Sequence, residues 1–119
     1  VSAVCGVWRF DGKPDIAVDC ARMLAAQEIY GPHDGRAWSE GPIAFGRRLY
    51  RTLPEDVHDR QPLTSADGRL ALVADVRLDN RDDLASSLGW SASRAAQSSD
   101  AAMLLASLER WNEHAVNRL

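Results

Sequence analysis

Strand-type and helix-type patterns follow one another in this chain in an order that excludes regular strand–helix alternation. Residues 1–10 are apolar, rich in Val and aromatic side chains, and stop at Asp11-Gly12, which predicts a buried strand closed by a tight turn. Pro14-Asp15 then opens a helix. Its apolar stripe runs through Ile16, Cys20, Met23, Leu24 and Gln27, with Ala17, Ala21 and Ala25 beside it. Residues 30–35 have the composition of a loop. Residues 38–49 predict strand, with Ile43, Phe45 and Leu49 on one face and breaks at Gly41-Pro42 and Gly46. Residues 53–62 are polar with two prolines and read as a surface connection. Asp67-Gly68 is a hairpin signal, and the apolar run within 69–78 predicts a buried strand. Asp79-Asn80 can cap a short helix over Arg81–Leu88. Residues 91–99 read as a small-residue loop. Asp100 caps a last helix with Met103, Leu104, Leu108 and Trp111 facing inward. One strand, one helix, several strands and two helices make an α+β chain, not a βαβ one.

Bulk properties narrow the function classes. The chain has 119 residues, 45% hydrophobic and 26% charged, an ordinary mix for a folded domain. The net charge of −3 gives no electrostatic pull towards nucleic acid, so none is expected as a partner. No apolar run approaches the ~20 residues of a membrane span. Arg9, Asp11 and Lys13 arrive too early for a signal peptide, so a cytoplasmic location is expected. There, Cys5 and Cys20 are expected to be free thiols. Two Cys and three His at scattered positions show no metal-ligand spacing, so no metal is expected. The Trp8, Trp38 and Trp111 rings are expected in core or interface positions, and His58 and His114 at the surface. His33 lies in a Gly-Pro loop with no Ser or Cys partner beside it in sequence, which argues against a general base.

Six short motifs carry more information in their order than singly. They are Val4-Cys5-Gly6-Val7, Tyr30-Gly31-Pro32-His33-Asp34-Gly35, Phe45-Gly46-Arg47-Arg48-Leu49, Gln61-Pro62-Leu63, the stretch from Leu72 to Asn80 that contains Asp75-Val76-Arg77, and Ser98-Ser99-Asp100. In this order they resemble the landmarks of class II glutamine amidotransferase domains of the asparagine-synthetase kind. Those landmarks are a Cys-Gly-Ile start, an Arg-Gly-Pro-Asp loop, the segment of the carboxylate-binding arginine, a Gln-Pro turn, an Asn-Gly-Glu strand and a Ser-Asp or Thr-Asp helix start.

The resemblance implies an Ntn-hydrolase αββα sandwich, truncated or incomplete in this chain. A C-terminal ATP-pyrophosphatase synthetase domain would follow. ATP and magnesium would belong to that domain, with no cofactor in this one. Glutamine and the synthetase domain would be partners, with a homodimer possible. The resemblance further implies an N-terminal cysteine thiol as nucleophile, with its own α-amine as base. An α-amine has a pKa near ~7.7–8.0, so an unprotonated share is available at neutral pH. On this chain Cys5 takes the nucleophile position. Arg48, with Arg47 beside it, takes the glutamine carboxylate, and Asp100 the ammonium.

The Asn-Gly-Glu triplet falls on Asp75-Val76-Arg77, and all three differ. An ionised Asp75 has no proton to donate to an oxyanion, Val76 adds bulk where glycine allows close approach, and Arg77 reverses a charge. Losing one oxyanion donor costs ~10²–10³ in rate. Asp75 and Arg77 are expected to pair with each other or with neighbouring strands. Residues 1–4 also precede Cys5, which denies it a free α-amine. The expected function is therefore an amidotransferase-like domain of an asparagine-synthase-related amide ligase, its glutaminase lost or impaired, as in relatives that close β-lactams or lasso peptides. The alternative is an active glutaminase after removal of residues 1–4, feeding ammonia to asparagine synthesis.

Overall fold

In the computed structural model, which describes residues 2–119, the N-terminal apolar run forms strand β1, Ala3–Trp8. Its sheet partners are β2 (Asp34–Glu40) and β3 (Ile43–Leu49). The strand order is β1-β3-β2, antiparallel throughout. Gly41 turns the hairpin at φ +55°, a conformation that suits glycine. Gly46, expected to break the strand, instead lies within β3 opposite Cys5 and Ala37. Its bare Cα has a packing cause. A Cβ there would stand 2.7–2.8 Å from the Leu24 side chain, so Gly46 is the socket for helix α1, Ile16–Ala26.

The buried row of α1 is Ile16, Cys20 and Leu24, spaced by four. Met23 is half exposed and Ala17, Ala21 and Ala25 are exposed, so the stripe is narrower than the sequence pattern suggests. The helix rests along one line of small residues, Ala44 and Gly46, and a single row fills it. Cys5, Ile16, Cys20, Leu24 and Ala44 form this first core. Trp8 is not in it. That ring is 63% exposed and lies 4.9 Å, between centroids, from the still more exposed Phe10.

A second set of elements starts with a 3-10 turn at Pro54–His58, where the sequence suggested a plain connection. Gln61, from the same stretch, is 1% exposed, so this connection is not all surface. Strands β4 (Leu63–Thr64) and β5 (Ala71–Leu72) form the expected hairpin around Asp67-Gly68. The Leu70 N–H donates to Ser65 Oγ, and the Ser65 hydroxyl donates to Asp67 Oδ1 at 2.7 Å. That hydrogen bond, with the Arg69 N–H, holds the Asp67 carboxyl below its ordinary range. The strand predicted over 69–78 shrinks to two residues. Its run is apolar enough, but its partner β4 is also two residues long, and a ladder extends only as far as both strands do.

Helix α2 covers Arg81–Leu88 and ends on Gly89 in the left-handed conformation. The expected loop 91–99 contains a helix, α3 (Ala92–Ala96), capped by Ser91 Oγ accepting the Arg94 N–H. Helix α4 covers Asp100–Trp111. Its cap is Ser99, which accepts the Ala102 N–H, so Asp100 is the first helical residue and not the cap. The inward row of α4 is Ala101, Met103, Leu105 and Ser107, while Leu104 and Leu108 are half-buried. Leu78, Leu84, Ala85 and Met103 form the second core, with Trp90 and Trp111 packed against it.

The chain divides into two compact units. One comprises the residues through Thr52 with Val73–Asp75; the other comprises Leu53–Leu72 with Val76–Leu119. The class is mixed α+β. The described residues carry a three-stranded and a two-stranded sheet, and the full αββα sandwich is not seen. Among the described residues no helix is long and apolar enough to cross a membrane.

Candidate functional site

Cys5 is in the middle of β1, with its backbone paired to Gly46 of β3. Opposed residues of an antiparallel pair present their side chains to one face, and successive residues alternate. Cys5 therefore shares a face with Ala3, Gly46 and Arg48, and this is the face that α1 covers. The thiol is 7% exposed and packs in the first core against Cys20, which is 0% exposed. Burial, then the neighbouring Cys5 and its hydrogen bond, push the Cys20 thiol up to about 11. Both cysteines are free thiols. A reactive thiol needs access and a group that favours the thiolate. This pocket of apolar side chains offers burial and a second thiol.

At the N-terminal end of β1, Ser2 Oγ accepts the Tyr50 N–H at 3.2 Å. The Val4 carbonyl accepts a long bond from Gln27 Nε2 at 3.4 Å. Residues 2–4 are thus held by the sheet and by the Gln27 side chain just beyond α1, with Ala3 paired to Arg48 and Val4 to Arg47.

Arg47 and Arg48, adjacent in sequence, point to opposite faces of β3. Arg47 is 1% exposed, a burial its sequence position did not signal. Arg48 runs along the α1 face. Its Nε–H donates to the Leu24 carbonyl in the last turn of α1 at 2.9 Å. That carbonyl also accepts the Gln27 N–H at 3.2 Å, so Arg48 is its second donor and reinforces the end of α1. The Nη1–Nη2 edge points away from this bond. Two glycines pack against the same side chain. A Cβ on Gly31 would stand 2.5 Å from Arg48 Cβ and 2.6–2.7 Å from the backbone of Arg48 and Leu49. A Cβ on Gly35 would meet Arg48 Nη1, Cζ and Cδ at 2.8–3.1 Å. In the same loop His33 Nδ1 accepts the Arg51 N–H at 2.9 Å, which occupies the lone pair a general base would use.

Asp100 belongs to the other unit and both of its carboxylate oxygens are engaged there. Oδ2 accepts the Leu78 N–H at 2.9 Å, and Oδ1 pairs with Arg81 Nη1. The second Arg81 amine, Nη2, donates to the Ala95 and Ser98 carbonyls at 2.7 and 2.9 Å. Arg81 is the residue that sequence reasoning missed. Its position at the start of α2 disfavours a cation by the helix dipole, and that mismatch was the available signal.

Asp75 and Arg77 are exposed and lie in irregular chain. Arg77 does not pair with Asp75. Its Nε is 3.6 Å from Asp79 Oδ1, and both side chains are largely in solvent. Among the described residues no group of three or more His, Cys, Asp or Glu side chains is placed to hold a metal ion.

Comparison with known proteins adds one finding. A family model described as a glutamine amidotransferase domain matches residues 1–119. No curated protein and no solved structure matches the chain.

Proposed function

This chain belongs to the class II glutamine amidotransferase domain family, and from that premise we propose that its glutaminase chemistry is lost or impaired and that it serves recognition or structure. The parent protein in this reading is an asparagine-synthase-related, ATP-dependent amide ligase. Its synthetase domain supplies the ATP and magnesium chemistry, and the acceptor amine is already part of the substrate.

The observation that carries the reading is the position of Cys5. Its nitrogen is a strand peptide, so no α-amine is present to take the thiol proton, and its thiol is core. The altered Asp75-Val76-Arg77 stretch supports the same conclusion, because an exposed carboxylate supplies no oxyanion donor and Val76 adds bulk where glycine allows close approach. Asp100 supports it as well. A carboxylate already satisfied by Arg81 and the Leu78 N–H offers little to a substrate ammonium. Arg48 differs from these, since its Nη1–Nη2 edge suits a carboxylate. Recognition in this reading is of a carboxylate and not of a whole glutamine.

The active alternative requires removal of residues 1–4. That would delete the Ala3–Arg48 and Val4–Arg47 pairings and still leave the Cys5 side chain facing α1. Ammonia release from L-glutamine, measured beside a Cys5→Ala variant, tests the two readings. The expected result is no release above the variant and no micromolar heat of glutamine binding. Cys5-dependent ammonia would establish the active domain instead.

A further inference from the structure

Gly35 lies on β2, opposite Arg48 in the β2–β3 register. Its missing side chain is not explained by a turn, because it is a strand residue whose φ lies outside the left-handed region. The space a side chain would need is filled by the end of Arg48. The three atoms nearest to a Cβ at Gly35 are Nη1, Cζ and Cδ of that arginine, at 2.8, 2.9 and 3.1 Å. On its other side the guanidinium is tied through Nε to the Leu24 carbonyl. We propose that bare Gly35 and the Leu24 carbonyl together aim the Arg48 guanidinium, so that Gly35 is a positioning residue for a carboxylate clamp at the C-terminal end of α1.

A planar guanidinium binds a carboxylate well only when its fork is held in one orientation. An arginine side chain otherwise loses rotamer freedom on binding, which weakens the complex. Here one hydrogen bond and one flat glycine surface supply the orientation. The atoms nearest to a methyl group at Gly35 all belong to the outer half of a flexible side chain, which can swing away. The strand keeps its backbone and the clamp loses its aim. Gly31 is different: its added methyl would meet the backbone of Arg48 and Leu49, which cannot swing. Gly35 therefore bears on the orientation of Arg48, and Gly31 on the fold.

The carboxylate part of this inference rests on the proposed reading of Arg48, and the test separates the two. The Arg48 Nε–H resonance is followed by NMR in the full chain and in Gly35→Ala. The expected result is a folded variant in which this N–H exchanges about tenfold faster, as for the loss of one intramolecular hydrogen bond. Unchanged exchange and shift in a folded Gly35→Ala would overturn the inference. Sodium acetate, against sodium chloride at equal ionic strength, is then titrated. Acetate should move the resonance in the parent chain and not in the variant. If acetate moves neither while the variant still frees the N–H, positioning stands and carboxylate recognition fails. A thermal double-mutant cycle covers the case in which Gly35→Ala unfolds. In an Arg48→Ala background the added methyl has nothing to strike, so its penalty should vanish; a penalty that persists there would also overturn the inference.

Discussion

Arg81 and Asp100 illustrate how much one pair can decide at the residue scale. Asp100 is the first residue of α4, where a negative charge is favoured by the helix dipole, and it also accepts the Leu78 N–H. Arg81 answers that charge and closes carbonyls at the end of α3 and just beyond it. Both side chains are mostly buried, at 23% and 15% exposure. Truncating Arg81 to Ala leaves a carboxylate and two carbonyls short of donors. The expected cost is about 2–3 kcal/mol of stability by urea denaturation, smaller than for a fully buried pair. A loss within the noise of a surface substitution would mean the pair is ornamental. The exposed Arg77–Asp79 contact provides that reference, since such pairs contribute ~0–1 kcal/mol.

Cys20 makes a second residue-scale case, and here the sign is the test. Its thiol is raised from 9.0 to about 11 in the folded chain, so the folded state favours the protonated form. This contribution is fully present below the unfolded value. Between these two values the unfolded chain releases a proton that the folded chain keeps. Stability should therefore fall as pH rises from 9.0 towards about 11. Cys20→Ala should flatten that slope when denaturation midpoints are compared across the window. An unchanged slope would mean that other groups carry the alkaline loss.

At the element scale, two glycines on one site separate packing from strand breaking. Gly46 accommodates Leu24, and Gly31 accommodates the backbone of β3. Gly31→Ala should lower the melting temperature sharply, and Arg48→Ala should not rescue it, because the obstructing atoms are Cβ and main chain. Ser99→Ala should cost only about 1 kcal/mol, the usual worth of an N-cap.

The same elements explain what the sequence pattern could and could not convey. Strand β1, helix α1 and the Asp67-Gly68 hairpin were legible because each has its own period or turn residues. Helix α3 was not: Ser91 is a sound cap, but five residues of Ala, Ser and Arg carry no apolar stripe. The length of β5 was not legible either, because it depends on how far a partner strand runs. For the site, the types of Cys5, Arg48 and Asp100 could be read along the chain. The thiol's direction into the α1 face and the prior claim of Arg81 on Asp100 could not, since both arise only when distant segments pack.

At the scale of the whole molecule, the two units have separate apolar cores. Cys5, Ile16, Cys20, Leu24 and Ala44 form one, and Leu78, Leu84, Ala85 and Met103 the other. Each is small, and small cores are marginal because little surface is removed from water per residue ordered. Local stability should then follow the core to which an element belongs. Leu24→Ala empties the socket at Gly46 and should cost about 2–5 kcal/mol. Its effect on amide hydrogen exchange should concentrate in β1, β3 and α1. Met103→Ala removes a side chain of 0% exposure and should do the same for α2 and α4. Exchange measured by mass spectrometry on both variants decides the point. Two distinct patterns would mean that the first core, with Cys5 inside it, is a cooperative unit of its own. A single pattern shared by both variants would mean one cooperative fold, in which Cys5 could not be freed without unfolding α4, the helix that carries Asp100.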